Sequence, residues 1–281
     1  MNDAVQVMNL KKSYGNNLVL NGLTFNVARG EIFALLGVNG AGKTTVLECI
    51  EGLRKYDSGE IISYGKKGIQ LQSSSLPEHI KPLEAIRLFA KWNKVSIDAE
   101  MLNSLGIGEF SKKRYYQLST GQKRRLHLAL ALIGNPDIIF LDEPTAGLDV
   151  EGRISLHRLV RKLKACGKTI ILAGHDMSEI ESLCDRIAIL SDGNIGFIGT
   201  ISELNTKIGD RYNVSVQTCK GSEEFEADDF EEVLFKLTDY YKQGVVISAV
   251  QINRGSLEQH FIKVYYFCRN GRNFYGGYAG L

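Results

Sequence analysis

The chain has 281 residues, of which 44% are hydrophobic and 23% charged, and its formal net charge is +2. This composition is that of a globular chain long enough for one large domain and a small second one. The near-neutral charge excludes nucleic acid and anionic lipid as obvious partners. No apolar stretch approaches the length of a membrane-spanning helix, and the first residues do not resemble a signal peptide.

Residue types that form disulfides or bind metals show no informative spacing. The five cysteines are scattered without a Cys-x-x-Cys pair, which predicts reduced thiols in a cytosolic protein. The five histidines also lack the spacing of metal ligands. Two basic triplets, at 112–114 and 123–125, are too short to indicate nucleic-acid binding and predict solvated helix faces.

The chain begins with a predicted antiparallel pair of strands, at residues 5–10 and 18–27, joined by a turn that contains Tyr14. The ring of Tyr14 could stack on an adenine base, or Tyr14 could be an ordinary turn residue. Taken alone, the residue favours the ordinary role.

A phosphate-binding loop follows the short apolar run 32–36, which is predicted to be a buried strand. Residues 37–44, Gly-Val-Asn-Gly-Ala-Gly-Lys-Thr, match the full phosphate-loop pattern, and apolar residues then recur at helical spacing. The glycines let successive N–H groups and the helix N-terminus surround a phosphate. Lys43 is expected to supply charge near the β- and γ-phosphates, and Thr44 a hydroxyl for Mg²⁺.

A helical insertion is predicted after two short strands at 59–63 and 68–71. Pro82 opens an amphipathic helix, and a second helix is expected at about 98–105. Because this stretch interrupts an alternation of strands and helices, it indicates an insertion in an α/β domain.

The segment Leu118-Ser119-Thr120-Gly121-Gln122 directly precedes another predicted helix. Ser119 is a suitable helix N-cap. The alternative is that this helix N-terminus offers a hydroxyl and glycine amides to an anion. The segment alone favours the cap.

An acid pair, Asp142-Glu143, follows the buried strand predicted at 137–141. In α/β sheets ligands bind at the carboxyl ends of the strands, where the phosphate loop also lies. Asp142 therefore suits Mg²⁺ through water, and Glu143 suits a base for an attacking water. His175 follows the strand predicted at 168–173, so it is expected at the same edge.

The composition changes after about residue 204. The following patterns predict a strand–helix–strand–helix (βαβα) accessory domain at 205–264, with elements at 212–217, 229–240, 245–252 and from 256. Residues 265–281 are predicted to be a poorly ordered tail.

Together these segments resemble the ATP-binding subunits of ATP-binding cassette (ABC) transporters, most closely those of exporters. The resemblance is good over about residues 4–204 and looser over the accessory domain. It matches the family motifs to the following segments: Walker A at 37–44, Q-loop at Gln72, signature at 118–122, Walker B at 138–143, D-loop at 146–149 and switch histidine at His175.

One motif in this match has two candidate residues, and another departs from the family pattern. Gln70 competes for the Q-loop position, but Gln72 is preferred because a serine run and the helical insertion follow it. Thr120 replaces the first glycine of the usual signature, whereas Ser119 and Gly121, which the family uses against the γ-phosphate, remain.

The resemblance implies an α/β P-loop NTPase cassette at 1–204. This cassette has a mostly parallel core sheet, an N-terminal antiparallel β subdomain and a helical subdomain at about 77–130. The implied catalytic and nucleotide-binding residues are Glu143, His175, Gln72, Tyr14, Gly37, Asn39, Gly40, Ala41, Gly42, Lys43, Thr44, Thr45, Ser119, Gly121, Gln122 and Asp149. The implied Mg²⁺ ligands are Thr44, Gln72 and Asp142.

The resemblance also implies an ATPase on the cytoplasmic face of the membrane that powers a separate permease, with export as the direction. With one Walker A and one signature, the chain would share two ATP sites with a second copy or a related chain. A soluble ABC ATPase of translation or repair is disfavoured because there is neither a second cassette nor a long coiled-coil insertion. A GTPase is disfavoured because it would need an Asn/Thr-Lys-x-Asp motif, and the candidate segments 93–96 and 206–209 lack the final Asp. A non-hydrolysing regulatory module is disfavoured because Glu143 is present.

Overall fold

The computed structural model describes residues 2–70, 75–174, 176–208, 212–219, 221–254 and 257–269. The chain divides into two compact units, Met1–Ile198 and Gly199–Leu281. No helix in the described ranges combines the length and the apolarity that crossing a bilayer requires.

The first unit alternates strands with helices. Its strands are β1 (Asp3–Tyr14), β2 (Asn17–Ala28), β3 (Ile32–Leu36), β4 (Ser58–Ser63), β5 (Lys67–Gln70), β6 (Ile138–Asp142), β7 (Thr169–Ala173), β8 (Arg186–Ser191) and β9 (Asn194–Gly199). Its helices are α1 (Lys43–Glu51), α2 (Pro82–Asn93), α3 (Ala99–Ser104), α4 (Ile107–Phe110), α5 (Thr120–Leu132), α6 (Val150–Ala165) and α7 (Met177–Leu183).

A six-stranded sheet in the order β5-β6-β7-β3-β8-β9 forms the centre of the first unit. The pairs β5–β6, β6–β7, β7–β3 and β3–β8 are parallel. Every residue of β3, β6 and β7 is buried, as expected for strands of a parallel sheet that is covered on both faces. The predicted mostly parallel core is confirmed.

A second sheet, β2-β1-β4, is antiparallel. It packs on the central sheet and on α1, because residues of β1 and β2 belong to the same buried cluster as Phe33, Leu35 and Ile50. This is the predicted N-terminal β subdomain. The helices from α2 to α5 form the predicted helical insertion, which ends at Leu132.

The second unit contains α8 (Ile201–Ile208), β10 (Tyr212–Thr218), β11 (Gly221–Ala227), α9 (Phe230–Lys242), β12 (Ile247–Arg254) and α10 (Leu257–Arg269). Its antiparallel sheet has the order β11-β10-β12. Its core consists of Tyr212, Val214, Val216, Ala227 and Val233.

Three features of the second unit differ from the sequence-based prediction. The βαβα pattern omitted β11, because its run of glutamates is typical of a solvated loop, although β11 is an edge strand. The division falls at Ile198/Gly199 rather than at 204/205, since α8 packs against α10. The predicted tail from residue 265 begins inside α10, which continues to Arg269, and residues 270–281 lie outside the described ranges.

Candidate functional site

The loop between β3 and α1 has a backbone that requires glycine. Gly40 and Gly42 have φ values of 85° and 100°, in the left-handed region that side-chain-bearing residues resist. A Cβ on Gly37 would lie 2.9 Å from both Ala41 Cβ and Leu190 O, although Gly37 has an ordinary φ. The loop therefore depends on glycine for two different physical reasons, conformation and close approach.

Lys43 begins α1, and its ammonium group folds back onto this loop. Nζ donates hydrogen bonds to Gly37 O at 2.7 Å and to Val38 O at 3.1 Å. Burial lowers the pKa of Lys43, while the nearby carboxylates of Glu143 and Asp142 favour its charged form. The side chain is thus a positive group held between the loop and two acids.

The other predicted residues of this segment lie around the loop. Asn39 and Thr44 are exposed, Thr45 is half-buried, and Ala41 is buried. Thr44 is the second residue of α1, so its hydroxyl lies at the helix N-terminus, where backbone N–H groups favour anions.

Asp142 is the last residue of β6, and its side chain is largely buried. Burial raises the pKa of Asp142, the negative charge of Glu143 raises it further, and Lys43 lowers it. The described residues contain no group of three or more His, Cys, Asp or Glu that could hold a metal alone. Independently of this, the Thr44 hydroxyl and the Asp142 carboxylate offer oxygen atoms, the ligand type that Mg²⁺ takes together with substrate phosphates.

Glu143 has an unusual backbone conformation, with φ at 46°, which is uncommon for a residue other than glycine. Two hydrogen bonds hold it there. Its N–H donates to Ala173 O at 2.8 Å, and Arg124 Nη1 donates to Glu143 O at 2.7 Å. Because such conformations persist only where surrounding bonds enforce them, they mark a candidate functional position.

The sheet register brings the loop and the acid pair together. Asp142 is paired with Ala173, and Ala173 is paired with Leu35, so β6, β7 and β3 end at one level. The phosphate loop follows β3, and Glu143 follows β6. We name Lys43, Asp142 and Glu143 the Walker edge. His175 was predicted at this edge, but it lies outside the described residues, as does Gln72.

Gln70, the competitor of Gln72, is the last residue of β5, and 3% of its surface is exposed. Its Oε1 atom is buried without a hydrogen-bond partner in the structure. Gln70 is thus inside the strand, whereas Gln72 is preferred because a serine run and the helical insertion follow it. The choice of Gln72 therefore stays a prediction.

Tyr14 ends β1 and is 42% exposed. Lys12 Nζ and Arg54 Cζ each lie 5.4 Å from the centre of its ring, within cation–π range. The ring is accessible to a base, but these cations already contact it. Adenine stacking on Tyr14 stays a prediction.

Ser119 caps α5, as the sequence alone favours. Its Oγ accepts from Gln122 N, and Gln122 Oε1 accepts from Ser119 N, both at 3.2 Å. These reciprocal bonds form a capping box. The cap leaves Ser119 on the surface, so the anion-binding alternative remains open.

The predicted D-loop packs against this helix start. A Cβ on Gly147 would lie 3.0 Å from Thr120 Cγ2, and a Cβ on Gly121 would lie 3.3 Å from Leu148 Cδ2. Asp149 in turn caps α6 by accepting a 2.8 Å bond from Gly152 N. We name residues 119–122 together with 147–149 the signature surface.

Comparisons with known proteins agree with this geometry. The profile of the ABC transporter family matches residues 20–146. The linearmycin resistance ATP-binding protein LnrL of Bacillus subtilis (strain 168) is 34% identical over 73% of this chain and 72% of its own length. The chain belongs to the ABC transporter family. It is an ATP-binding cassette, and the cassettes of this family are ATPases coupled to transport.

Two further relatives extend the comparison. The Nod factor export ATP-binding protein I of Burkholderia orbicola (strain AU 1054) is 38% identical over 67% of this chain and 68% of its own length. A solved structure of an ATP-binding subunit of an ABC transporter has a TM-score of 0.68 and 27% identity, and covers 73% of this chain and 93% of that chain. The predicted family and cassette fold are therefore confirmed.

The structure of this ABC cassette corrects one prediction, since the triplet 123–125 is not a solvated face. Arg124 binds the Glu143 carbonyl, Arg125 contacts the carboxylate of Glu109 at 3.3 Å, and Lys123 Nζ lies 5.0 Å from the Tyr115 ring centre. These contacts could not be predicted from the run of like charges, because each depends on the packing of α5 against other elements. Arg124 is the residue that the sequence reasoning missed at the Walker edge.

Proposed function

We propose that this chain is the ATP-hydrolysing subunit of an exporter and that it acts on the cytoplasmic face of the membrane through a separate permease. The observation that carries the hydrolytic part is the meeting of Lys43, Asp142 and Glu143 at one edge of the sheet. Export is supported by the Nod factor export relative and by the linearmycin resistance relative, to which the chain is similar.

Each residue of the Walker edge has a chemical task in this proposal. Lys43 and the loop N–H groups hold the phosphates, and Glu143 orients and polarises the attacking water. Thr44 and Asp142 would hold Mg²⁺, which neutralises phosphate charge when it is bound. Gln72 and His175 contact the γ-phosphate, and Tyr14 stacks on adenine. Phosphoryl transfer needs mainly positioning and charge neutralisation, which this set of residues supplies.

The second part of the proposal is an ATP-sandwich dimer. Ser119, Gly121 and Gln122 of one cassette close over nucleotide held by the Walker edge of the other, and Asp149 lies beside them. The support is that the chain has one phosphate loop and one signature segment, and that Ser119 and the Asp149 side chain lie on an exposed surface.

A Glu143→Gln variant tests the catalytic assignment. We expect turnover of ATP to fall at least ~100-fold, because the base is lost, while ATP binding is retained. Glu60→Gln, which changes an exposed carboxylate of β4, is the matched control and should keep wild-type turnover. Rapid hydrolysis by Glu143→Gln would refute the assignment.

Copurification tests the coupling to transport. A tagged full-length chain should copurify from solubilised membranes with a protein of several membrane spans. Recovery without any such protein would favour a soluble ABC ATPase or a regulatory nucleotide switch instead.

A further inference from the structure

A buried carboxylate lies behind the turn that carries Glu143. Glu179, on α7, is 8% exposed, and its Oε2 accepts a 2.6 Å hydrogen bond from the Oγ1 of Thr145. Thr145 is itself only 7% exposed. Because an isolated buried carboxylate is costly, this arrangement requires defined partners.

The second oxygen of the same carboxylate faces another helix. Oε1 lies 3.4 Å from Nε2 of His157, on α6. Both atoms are buried, and the contact between them is electrostatic. Burial raises the pKa of Glu179, whereas the Thr145 hydroxyl and His157 favour its ionised form.

The carboxylate of Glu179 connects three segments near the proposed site: the turn that contains Thr145, helix α6 and helix α7. Thr145 stands between Glu143 and the D-loop, and α7 begins two residues after His175. A second ion pair joins the same two helices: Arg153 Nη1 of α6 lies 3.4 Å from Oδ2 of Asp176, the residue that caps α7. The helices α6 and α7 are thus linked twice, and the hydroxyl of Thr145 joins the turn after Glu143 to the Glu179–His157 link.

We propose that Glu179 is a positioning residue for ATP hydrolysis, which holds the turn from Glu143 to the D-loop in register with the helix that follows His175. This inference rests on the proposed function, because it assumes that Glu143 and His175 act on the γ-phosphate. Glu179 acts through the Thr145 hydroxyl and touches no reacting atom. Loss of the bond leaves nucleotide binding by the phosphate loop intact and lowers the rate of hydrolysis.

The test compares substitutions at Thr145 with a matched change elsewhere in the core. Thr145→Val removes the hydroxyl and keeps the shape, while Thr145→Ser keeps the donor. Thr169→Val is the control, since Thr169 is 2% exposed and its Oγ1 accepts from Gly30 N at the opposite end of β7. The purified full-length chain is assayed for kcat and KM of ATP hydrolysis and for Tm.

We expect Thr145→Val to lower kcat about tenfold with less than a twofold change in KM, and Thr145→Ser to restore most of kcat. Thr169→Val should lower Tm similarly but keep wild-type kcat. Equal losses of kcat in the two valine variants, or no rescue by serine, would overturn the inference, because the role of Thr145 would then be merely structural.

Glu179→Met provides a second measurement if Thr145→Val does not fold, since it keeps the approximate size of the side chain and removes the oxygen that accepts the hydrogen bond from Thr145. It should also lower kcat with KM preserved, and unchanged kcat would overturn the inference. Glu143→Gln is assayed in parallel. If that variant hydrolyses ATP normally, both proposals fail, whereas a dead Glu143→Gln beside a fully active Thr145→Val removes only this inference.

Discussion

The Walker edge and the signature surface differ in how their polar groups are satisfied. At the Walker edge, Asp142 is largely buried, and the pKa values of Lys43 and Asp142 respond to each other's charge and to that of Glu143 within one chain. At the signature surface, Ser119 and Gln122 form the reciprocal bonds of the helix cap and are more accessible. In the proposed ATP sandwich, the Walker edge is the half of the site that one chain assembles, and the signature surface is the half that it presents to the other cassette.

Removing the positive charge of Lys43 from the Walker edge should have the largest effect on ATP binding. Lys43→Met is expected to weaken ATP binding at least ~100-fold, because the only full charge of the phosphate loop is lost. Equilibrium binding of a fluorescent ATP analogue measures this. Lys66→Met, at an exposed position ahead of β5, is the matched control and should bind normally. Tight binding by Lys43→Met would show that the loop does not hold the phosphates.

Removing the hydroxyl of the signature surface should separate binding from turnover. Ser119→Ala is expected to keep the ATP affinity of the isolated chain, to lower turnover about tenfold or more, and to weaken ATP-dependent dimerisation of the Glu143→Gln variant. Light scattering with and without ATP measures the dimer, and a phosphate-release assay measures the turnover.

This substitution also removes a helix cap, which is worth roughly 1 kcal/mol. Asp98→Ala is the control, because the Asp98 side chain caps α3 by accepting from Met101 N. Both variants should lose a few degrees of Tm, but Asp98→Ala should keep its turnover. A similar loss of turnover in both variants would mean that Ser119 is only a cap.

Arg124 links the signature surface to the Walker edge. It lies on α5, which begins in the signature surface, and it donates a hydrogen bond to the carbonyl of Glu143. Arg124→Met should reduce kcat about tenfold with little change in KM, since a charge-assisted bond that holds Glu143 in its strained conformation is worth roughly 1.5–3 kcal/mol. Steady-state kinetics measure this effect. Arg125→Met, whose side chain instead contacts Glu109, is the control, and equal losses in both variants would contradict the specific role of Arg124.

The parts of the site that could be predicted from sequence are those fixed by local pattern. The apolar runs of β3 and β6, the glycines of the loop and the cap at Ser119 depend on neighbouring residues, and the structure has them as expected. The strand-end rule also predicts Asp142 beside the phosphate loop, and the sheet register agrees with it.

The parts that could not be predicted depend on contacts between distant segments. Arg124 reaches across 19 positions to Glu143, and Thr145 reaches across 34 positions to Glu179. Neither pairing leaves a periodic signal in the sequence. The edge strand β11 was also missed, because its exposed glutamates resemble a loop and its pairing with β10 depends on the core of the second unit.

The smallest expected effect concerns Glu51, which lies at the end of α1, the helix that begins with Lys43. Burial, and then the negative charge of Asp142, raise the pKa of Glu51 to about 7 from 4.5. Between these two values the folded chain keeps a proton that the unfolded chain has lost, so stability should fall as the pH rises through this range.

Glu51→Gln removes this titration and should therefore raise the Tm relative to wild type at pH 8, with little difference at pH 4.5. Because Glu51 is partly exposed and solvent screens its charge, the effect should be about 1–2 kcal/mol, which corresponds to a few degrees of Tm. Thermal unfolding of both proteins across this pH range measures the effect, with Glu60→Gln as the exposed control. If Glu51→Gln stabilises the protein equally at both pH values, then burial does not raise the pKa of Glu51. The negative charge of Asp142 would then have no effect on the carboxylate at the end of α1.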